Sequence, residues 1–417
     1  LPVSKVVNTF KVRASYGSLG NQNTSSLYPT YSTIGTGTGS WIIDGTLANI
    51  AWAPSLVSYN LSWEKIRTWN AGVDFGLFNN RLTGSFDYYI RKTDDMVGPS
   101  EKLPVALGTA VPSSNNTNLK TFGWELELMW KDRLNNGLNY SARFTLADSR
   151  TKITRYSNPS GLIDGFYAGK YVGEIWGYET IGIAQSDQEM AEHIGRLVNG
   201  GQSNLGQDWK AGDIMYKDLN EDGKIDAGSR TLQDHGDLKR IGNSTPRYNV
   251  GLELAADWKG FDIRMFWQGT LKRDYFQGSY YFWGANGRQG AWFSTALKGH
   301  DDYFRNDEAS PLGTNLNSYY PRPLFNTDKN QQSQTKYLQD ASYLRLKNLQ
   351  IGYSLPHNIV QKMGMQNLRI FASGENLFTI TSLIDFFDPE SIEGGSWGHG
   401  NVYPLSRTFS FGLNVTF

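Results

Sequence analysis

The sequence predicts an all-β fold, an antiparallel up-and-down transmembrane β-barrel that crosses its membrane with strands rather than helices. Three observations carry that expectation. Apolar and polar residues alternate with period two in segment after segment. The connections between these segments are short and long by turns. Aromatic residues make up 14% of the 417 residues, yet no run of 18 apolar residues occurs.

The last segment shows the alternation most cleanly. Phe409, Phe411, Leu413, Val415 and Phe417 share one face, and Ser410, Gly412, Asn414 and Thr416 share the other. The same reading sets Phe86, Tyr88 and Ile90 against Ser85, Asp87 and Arg91, and Val250, Leu252 and Leu254 against Asn249 and Glu253. Ten strands are expected at about 6–18, 61–77, 81–97, 119–133, 137–153, 245–258, 260–273, 342–355, 366–382 and 404–417. The eighth changes phase between Leu346 and Leu349, which predicts a β-bulge at Lys347 and Asn348.

Long loops are expected at about 19–60, 98–118, 154–244, 274–341 and 383–403. Tight turns are expected at Phe78-Asn79-Asn80, Leu134-Asn135-Asn136 and Lys259-Gly260, with a short connection at 356–365. A membrane barrel has this rhythm, short turns at the periplasmic end and long loops outside. Residues 1–417 therefore read as part of one barrel domain.

Composition narrows the function. Lys+Arg and Asp+Glu are equal at 40 each, so there is no basic field to attract nucleic acid. There is no cysteine, hence no disulfide framework and no thiolate chemistry. The mean hydropathy of −0.48 suits a soluble protein, but alternating strands average to the same value. The N-terminus, Leu1-Pro2-Val3-Ser4-Lys5, lacks the pattern of a signal peptide, so the chain is expected to be a fragment or processed product of an exported protein.

No catalytic constellation emerges, and no enzyme is expected. His193, His235, His300, His357 and His399 fall in loops or turns without a nucleophile or metal-helix motif, and are expected to be solvated. Asp94-Asp95, Asp301-Asp302 and Asp388/Glu390 are read as charged loop surface.

One loop is more specific. Asp218, Asn220, Asp222 and Asp226 stand at positions 1, 3, 5 and 9 of a calcium-loop pattern, with Gly223 at the sharp turn and the Lys224 carbonyl at position 7. Position 12 is Ser229 rather than Glu, so Asp213 or Asp234 would have to complete a Ca²⁺ site. The same residues suit a turn closed by its own Asx hydrogen bonds. Aromatics cluster in the long loops, and Trp283, Trp292, Tyr320 and Trp397 are the candidates for contact with a substrate or partner. Loop packing is the competing reading of those rings.

Longer stretches resemble a family. Trp63-Glu64-Lys65, Asn70 to Phe75, Asn80-Arg81-Leu82 and Asp87 to Met96 are similar to the recurrent barrel signature of SusC/RagA proteins. So are Gly212-Asp213-Ile214 with Asp218–Asp226, Lys259-Gly260-Phe261-Asp262, Tyr343 to Leu349, Asn376-Leu377-Phe378-Thr379 and Tyr403-Pro404. The resemblance implies a 22-stranded TonB-dependent transporter barrel with a plugged lumen, of which this chain supplies about the last ten strands; the plug domain has no counterpart here. It implies import of a glycan or peptide across the cell outer membrane of a Gram-negative, Bacteroidetes-like bacterium. A SusD-like surface lipoprotein, the TonB complex and outer-membrane lipid would be the partners. A porin or adhesin is the alternative, and a secreted carbohydrate-binding β-sandwich a third. Phe417 also resembles the terminal aromatic by which outer-membrane barrels are recognised for assembly.

Overall fold

A computed structural model describes residues 6–22, 30–54, 56–100, 106, 111–285, 294, 296–394, 400 and 402–417. The first strand is β1 (Val7–Asn21), followed by a small hairpin of β2 (Thr36–Ile43) and β3 (Thr46–Ala51). Next come β4 (Glu64–Leu77), β5 (Leu82–Gly98), β6 (Ser114–Arg133) and β7 (Asn139–Arg155). A long excursion holds β8 (Glu174–Gly177), β9 (Thr180–Ile183), α1 (Asp187–Arg196), β10 (Ile214–Tyr216) and β11 (Lys239–Asn243). The chain returns as β12 (Arg247–Trp258) and β13 (Phe261–Lys272), then leaves again through β14 (Asp274–Phe276), α2 (Tyr280–Trp283) and β15 (Leu338–Asp340). It ends with β16 (Tyr343–Ser354), α3 (His357–Lys362), β17 (Asn367–Thr381) and β18 (Thr408–Thr416).

Ten of these strands form one antiparallel sheet in the order β1-β4-β5-β6-β7-β12-β13-β16-β17-β18, a meander without crossovers. They are the ten strands the alternation predicts. Differences lie at the ends. β6 begins at Ser114 rather than near 119, where Gly98 pairs with Ser114 and lengthens the hairpin. β18 begins at Thr408 rather than near 404, because Pro404 has no N–H to give to a ladder. The sheet is open, with β1 and β18 each paired on one side only.

Register explains how one face meets lipid. Val12, Val73, Phe86, Leu126, Leu146 and Val250 are paired across six strands, so a single row of the sheet is apolar throughout. The neighbouring inward row runs Arg13, Gly72, Asp87, Glu125, Ala147, Asn249 and Thr270. A slip of one residue in any strand would exchange the two faces. Trp130, Trp258, Phe261 and Tyr353 gather near the turn end of the sheet, where the amphipathic rings of an interfacial girdle belong.

The turns are built by residues that accept left-handed backbone. Lys259 and Gly260 take φ of 48° and 88°, the paired positive values of a two-residue hairpin, and a Cβ on Gly260 would stand 2.7 Å from the Ser354 carbonyl. Phe78, Asn79 and Asn80 are also left-handed, at 56°, 59° and 59°. The β6–β7 turn closes with Gly137 N–H donating to the Leu134 carbonyl at 2.9 Å. The 356–365 connection is more than a turn, since it contains α3 with Val360 fully buried.

The bulge falls where the phase change predicts it: β16 shifts register between Leu346 and Asn348 against β17, and β13 shifts opposite it at Phe266 and Trp267. The 154–244 and 274–341 segments, expected as loops, are instead a folded cap. Ile163, Ile214, Tyr216 and Ile225 of the first pack with Phe282 and Tyr337 of the second and Ile392 of the last loop in one apolar core.

Meander order puts the turns at 78–80, 134–137 and 259–260 and helix α3 on one end of the sheet and the cap on the other. These 417 residues contain no cysteine, so single cysteines placed among them, in a receptor otherwise cleared of cysteine, can map those ends in whole cells. Asn135→Cys and His357→Cys should resist a membrane-impermeant maleimide, whereas Gln188→Cys and Glu308→Cys should react. Labelling of Asn135→Cys on intact cells would overturn the topology.

Candidate functional site

Two surfaces carry the polar groups that matter, the inner face of the sheet and the cap above it. On the inner face Arg13 of β1 reaches over β4, donating to Asp74 at 2.8 and 2.9 Å and to Asp87 of β5 at 2.7 and 3.0 Å. Gly72 makes room, because a Cβ there would lie 2.4 Å from Asp87 Oδ1 and 3.0 Å from Arg13 Nη2. The device recurs in β13–β16–β17. Arg369 donates to Asp262 at 2.5 and 2.8 Å across Gly352, whose Cβ would collide with both groups. Beside the Arg13–Asp87 pair lies a hollow of about 560 Å³ lined by Asp87, Glu125, Thr145, Asn249, Gln268 and Thr270.

On β16 Arg345 and Lys347 both face inward, and together they hold the last loop. Arg345, 4% exposed, donates to Asp388 at 2.7 Å and to Glu390 at 3.0 Å, and Lys347 Nζ reaches Glu390 at 3.0 Å. Arg273 pairs with Glu393 at 2.6 Å. Asp388 and Glu390 are therefore clamps rather than the free loop surface expected of them. Asp94 and Asp95 are also engaged, by Arg67 and Arg155. His300 is buried rather than solvated: Nδ1 accepts from Leu297 N–H at 2.9 Å and Nε2 faces the Tyr281 and Phe282 carbonyls at 3.0 and 3.1 Å.

In the cap a second buried charge cluster ties the two long segments together. Asp213, 0% exposed, receives Arg322 at 2.7 and 2.8 Å, Lys329 at 2.9 Å and Asn330 at 2.9 Å. Burial pushes the Asp213 carboxyl up, but these donors together hold it below the usual aspartate range. Desolvation acts on Lys329 in the other direction and pulls it down, while Asp213 opposes that shift. The geometry favours a charged pair, since Lys329 Nζ also donates to the carbonyls of Gln207 and Asp208 at 2.8 and 2.9 Å.

The residues of the calcium-loop pattern come together but turn their oxygens to the backbone. Asp218 Oδ2 accepts from Gly223 N–H at 2.9 Å, Asn220 Oδ1 from Asp222 N–H at 3.2 Å and Asp222 Oδ1 from Lys224 N–H at 3.1 Å. Asp226 accepts from Gly228 N–H at 2.8 Å and from Lys224 Nζ at 2.7 Å. Neither expected substitute for position 12 joins them, because Asp213 serves Arg322 and Asp234 is bonded to Ser229 N–H at 2.9 Å. Asp237 stands beside the loop instead, taking N–H donors from Leu219 and Asp226 at 2.7 and 2.9 Å. Among the described residues no group of three or more His, Asp or Glu side chains is set to hold a metal ion.

Trp283 and Tyr320 lie within the cap core, 6% and 4% exposed, as walls of a cavity of about 230 Å³. Trp292 and Trp397 lie outside the described residues. Sequence reasoning missed Arg345, Arg13, Asp213 and Arg322 as organising residues. Alternation puts the first two on the wet face, but nothing in a single sequence pairs Arg322 with Asp213 across 109 positions.

A model of the TonB-dependent receptor-like β-barrel matches residues 3–377. The chain belongs to that family. It is 29% identical over 439 aligned residues to TonB-dependent receptor P3 of Formosa agariphila, covering 99% of this chain and 40% of the relative. It is 26% identical to TonB-dependent receptor SusC of Bacteroides thetaiotaomicron, over 87% of this chain and 33% of that protein. The structure of the RagAB peptide transporter superposes with a TM-score of 0.71 at 23% identity, over 99% of this chain and 41% of that one, which shows the fold. The chain spans about 40% of the length of the P3 receptor and a third of SusC. Family membership makes this an outer-membrane TonB-dependent receptor-like barrel, similar to SusC and to the RagAB structure, and not an enzyme.

The Asp213 cluster yields a measurable outcome in the whole receptor. Asp213→Asn keeps the shape and strands the buried Lys329 and the half-buried Arg322, at a cost of about 3–5 kcal/mol. Proteolysis should then begin within 156–342 while the barrel strands stay protected. Because the folded carboxyl is depressed, its contribution is complete above the ordinary aspartate value near ~3.9 and fades as pH falls below it. A variant as resistant as the parent would refute the assignment.

Proposed function

We propose that this chain forms barrel wall and extracellular cap of an outer-membrane importer that takes up oligosaccharides or peptides with energy from TonB. The observation that carries the reading is the joint architecture. A ten-stranded sheet has an apolar outer face, and a cap with its own core stands at the long-loop end. A cap of this kind is suited to gripping cargo and a partner, whereas a passive pore has no need of it. A SusD-like lipoprotein is the proposed partner, and exposed apolar residues of the cap such as Val198, Leu312 and Phe325 offer it contact. The similar fold of the RagAB peptide transporter makes peptide the first cargo class to test. TonB would engage parts of the whole protein beyond this span.

Deleting the gene should abolish growth on the cognate oligomer, and removing TonB from cells that keep the gene should do the same. Uptake that survives loss of TonB would favour the porin alternative.

For residues 218–226 we propose Ca²⁺ as a ligand that replaces some of the present bonds. Two features support it: Asp218 Oδ1 is buried without a hydrogen-bond partner, and Asp237 is buried beside it. Burial, with the like charges of Asp218 and Asp222, holds the Asp237 carboxyl above its usual value. Asp218, Asn220, Asp222, Asp226 and the Lys224 carbonyl would supply the oxygens, at roughly 2.3–2.6 Å. Calorimetry of the intact receptor should show Ca²⁺ binding that Asp222→Asn weakens; no heat at millimolar Ca²⁺ rejects the site.

A further inference from the structure

Charges on the sheet are commonly met by a partner on a nearby strand, as in Arg13 with Asp74 and Asp87, Arg369 with Asp262 and Arg143 with Glu127. One place breaks that rule. Lys92 of β5 is registered directly against Lys120 of β6, and Lys120 directly against Lys152 of β7. Like charges set opposite one another across strands destabilise a sheet. Arg67 of β4 continues the row on the other side of Lys92, and Arg150 lies two residues before Lys152 on the same face.

The row faces outward. Steps of two from Phe86, Leu126 and Leu146 of the apolar row arrive at Lys92, Lys120 and Lys152, with no register shift on the way. Between the two rows stand Tyr16, Trp69, Ile90 and Phe122, and the Tyr16 and Trp69 rings lie 5.0 Å apart. Lys92 Nζ sits over Trp69 at 5.4 Å, while Arg150 and Lys152 share the Tyr171 ring at 4.0 and 5.7 Å. Depth follows from the strand. Lys92 is ten residues beyond Leu82, at the turn end of β5. At about 3.3 Å per residue and a tilt of about 40°, that is roughly 25 Å along the membrane normal, the height of the apolar band of such barrels.

The carboxylates at this level are already taken, Asp94 by Arg67, Asp95 by Arg155 and Lys65, and Asp148 by Arg247. Among the described residues no ion pair includes Lys92, Lys120, Arg150 or Lys152. Four unpaired cations therefore stand at the outer edge of the hydrocarbon with apolar surface directly beneath them. Basic clusters at a membrane boundary attract anionic headgroups, and an ammonium holds phosphate as a point charge. We propose that the outward face of β5, β6 and β7 binds a phosphorylated lipid headgroup of the outer leaflet, its phosphate oxygens accepting from Lys92, Lys120, Lys152 and Arg150 and its acyl chains lying along Phe86, Leu126 and Leu146. Neighbouring strands are about 4.8 Å apart, so the lysines span roughly 10 Å, wide enough for a headgroup with more than one phosphate. The apolar rows below set these lysines against lipid, which favours a headgroup over an acidic protein surface. The site is independent of what the receptor imports.

The test uses the intact receptor, stripped of lipid in a non-ionic detergent and titrated with diphosphoryl lipid A, with its dephosphorylated form and with inorganic phosphate, bound species being counted by native mass spectrometry. The diphosphorylated lipid should bind more tightly than the dephosphorylated one. Lys92→Gln, Lys120→Gln and Lys152→Gln should each weaken it about fivefold, the worth of one basic residue at an anionic lipid surface, and the triple variant about a hundredfold. Lys210→Gln, Lys298→Gln and Lys362→Gln together, exposed lysines away from the row, should leave binding unchanged. Without lipid the triple variant should melt no lower than the parent, since opposed like charges are removed, and lipid A should raise the melting temperature of the parent but not of the triple variant. Equal binding of diphosphoryl lipid A by parent and triple variant overturns the proposal, as does equal binding of the two lipid forms. Lysine-dependent binding of inorganic phosphate that matches the lipid in affinity would assign the row to phosphate from solution. A triple variant that keeps lipid A but no longer captures the surface lipoprotein would assign it to a protein. Either result also overturns the lipid site.

Discussion

Hydrocarbon offers a backbone N–H or C=O no partner, and every other feature of this chain is arranged around that constraint. The ten-stranded ladder is the answer, since each interior strand satisfies its neighbours on both sides. Once the backbone is closed in this way, side chains decide the rest. An apolar row such as Val12–Val73–Phe86–Leu126–Leu146–Val250 can face lipid only if the inward rows absorb all the polarity. The alternation that makes the strands readable is therefore a consequence of the solvent on each side. The unpaired edges of β1 and β18 are the places where the constraint is unmet within this span.

Polarity on the inner face is managed by ion pairs that cross strands. Arg13 binds Asp74 and Asp87 over Gly72, and Arg369 binds Asp262 over Gly352. Glycine at those sites is a requirement of the bridge above it, because any Cβ would occupy the space of the carboxylate. The equal totals of acidic and basic residues acquire a structural meaning here, since many of the charges neutralise one another across neighbouring strands. Partly solvated pairs of this kind add little net stability, but they fix register and keep bare charges away from the sheet.

Strands were legible in the sequence because period two is local and strong, and the bulge at Lys347 was legible as a break in that period. The turns were legible from Asn and Gly tolerating left-handed backbone. The cap was not. Its core joins Ile163, Phe282 and Ile392, residues separated by more than a hundred positions, and no local pattern announces such contacts. For the same reason Trp283 and Tyr320 stayed open between contact rings and loop packing, His300 looked like a solvated histidine, and Asp388 and Glu390 like loop charge. The calcium-loop residues were correctly seen as one turn, yet single-sequence spacing does not decide whether their oxygens face a cation or the backbone.

The bulge sits where the two halves of the molecule meet. Without an extra residue in β16, Arg345 and Lys347 would lie on the inner face with Leu346 outward, and the next outward residue would be Asn348, a polar group in the apolar band. Inserting one position turns Lys347 and Asn348 both inward and returns Leu349 to lipid. Arg345 and Lys347, both inward, converge on Glu390, with Asp388 beside it, so the last loop is anchored to the wall. That loop carries Ile392, Leu383 and Phe387 into the cap core. Since Arg345 is buried, separating it from both carboxylates would leave an uncompensated charge, which is costly. The cap is thereby coupled to the barrel beside the bulge that keeps the apolar band continuous.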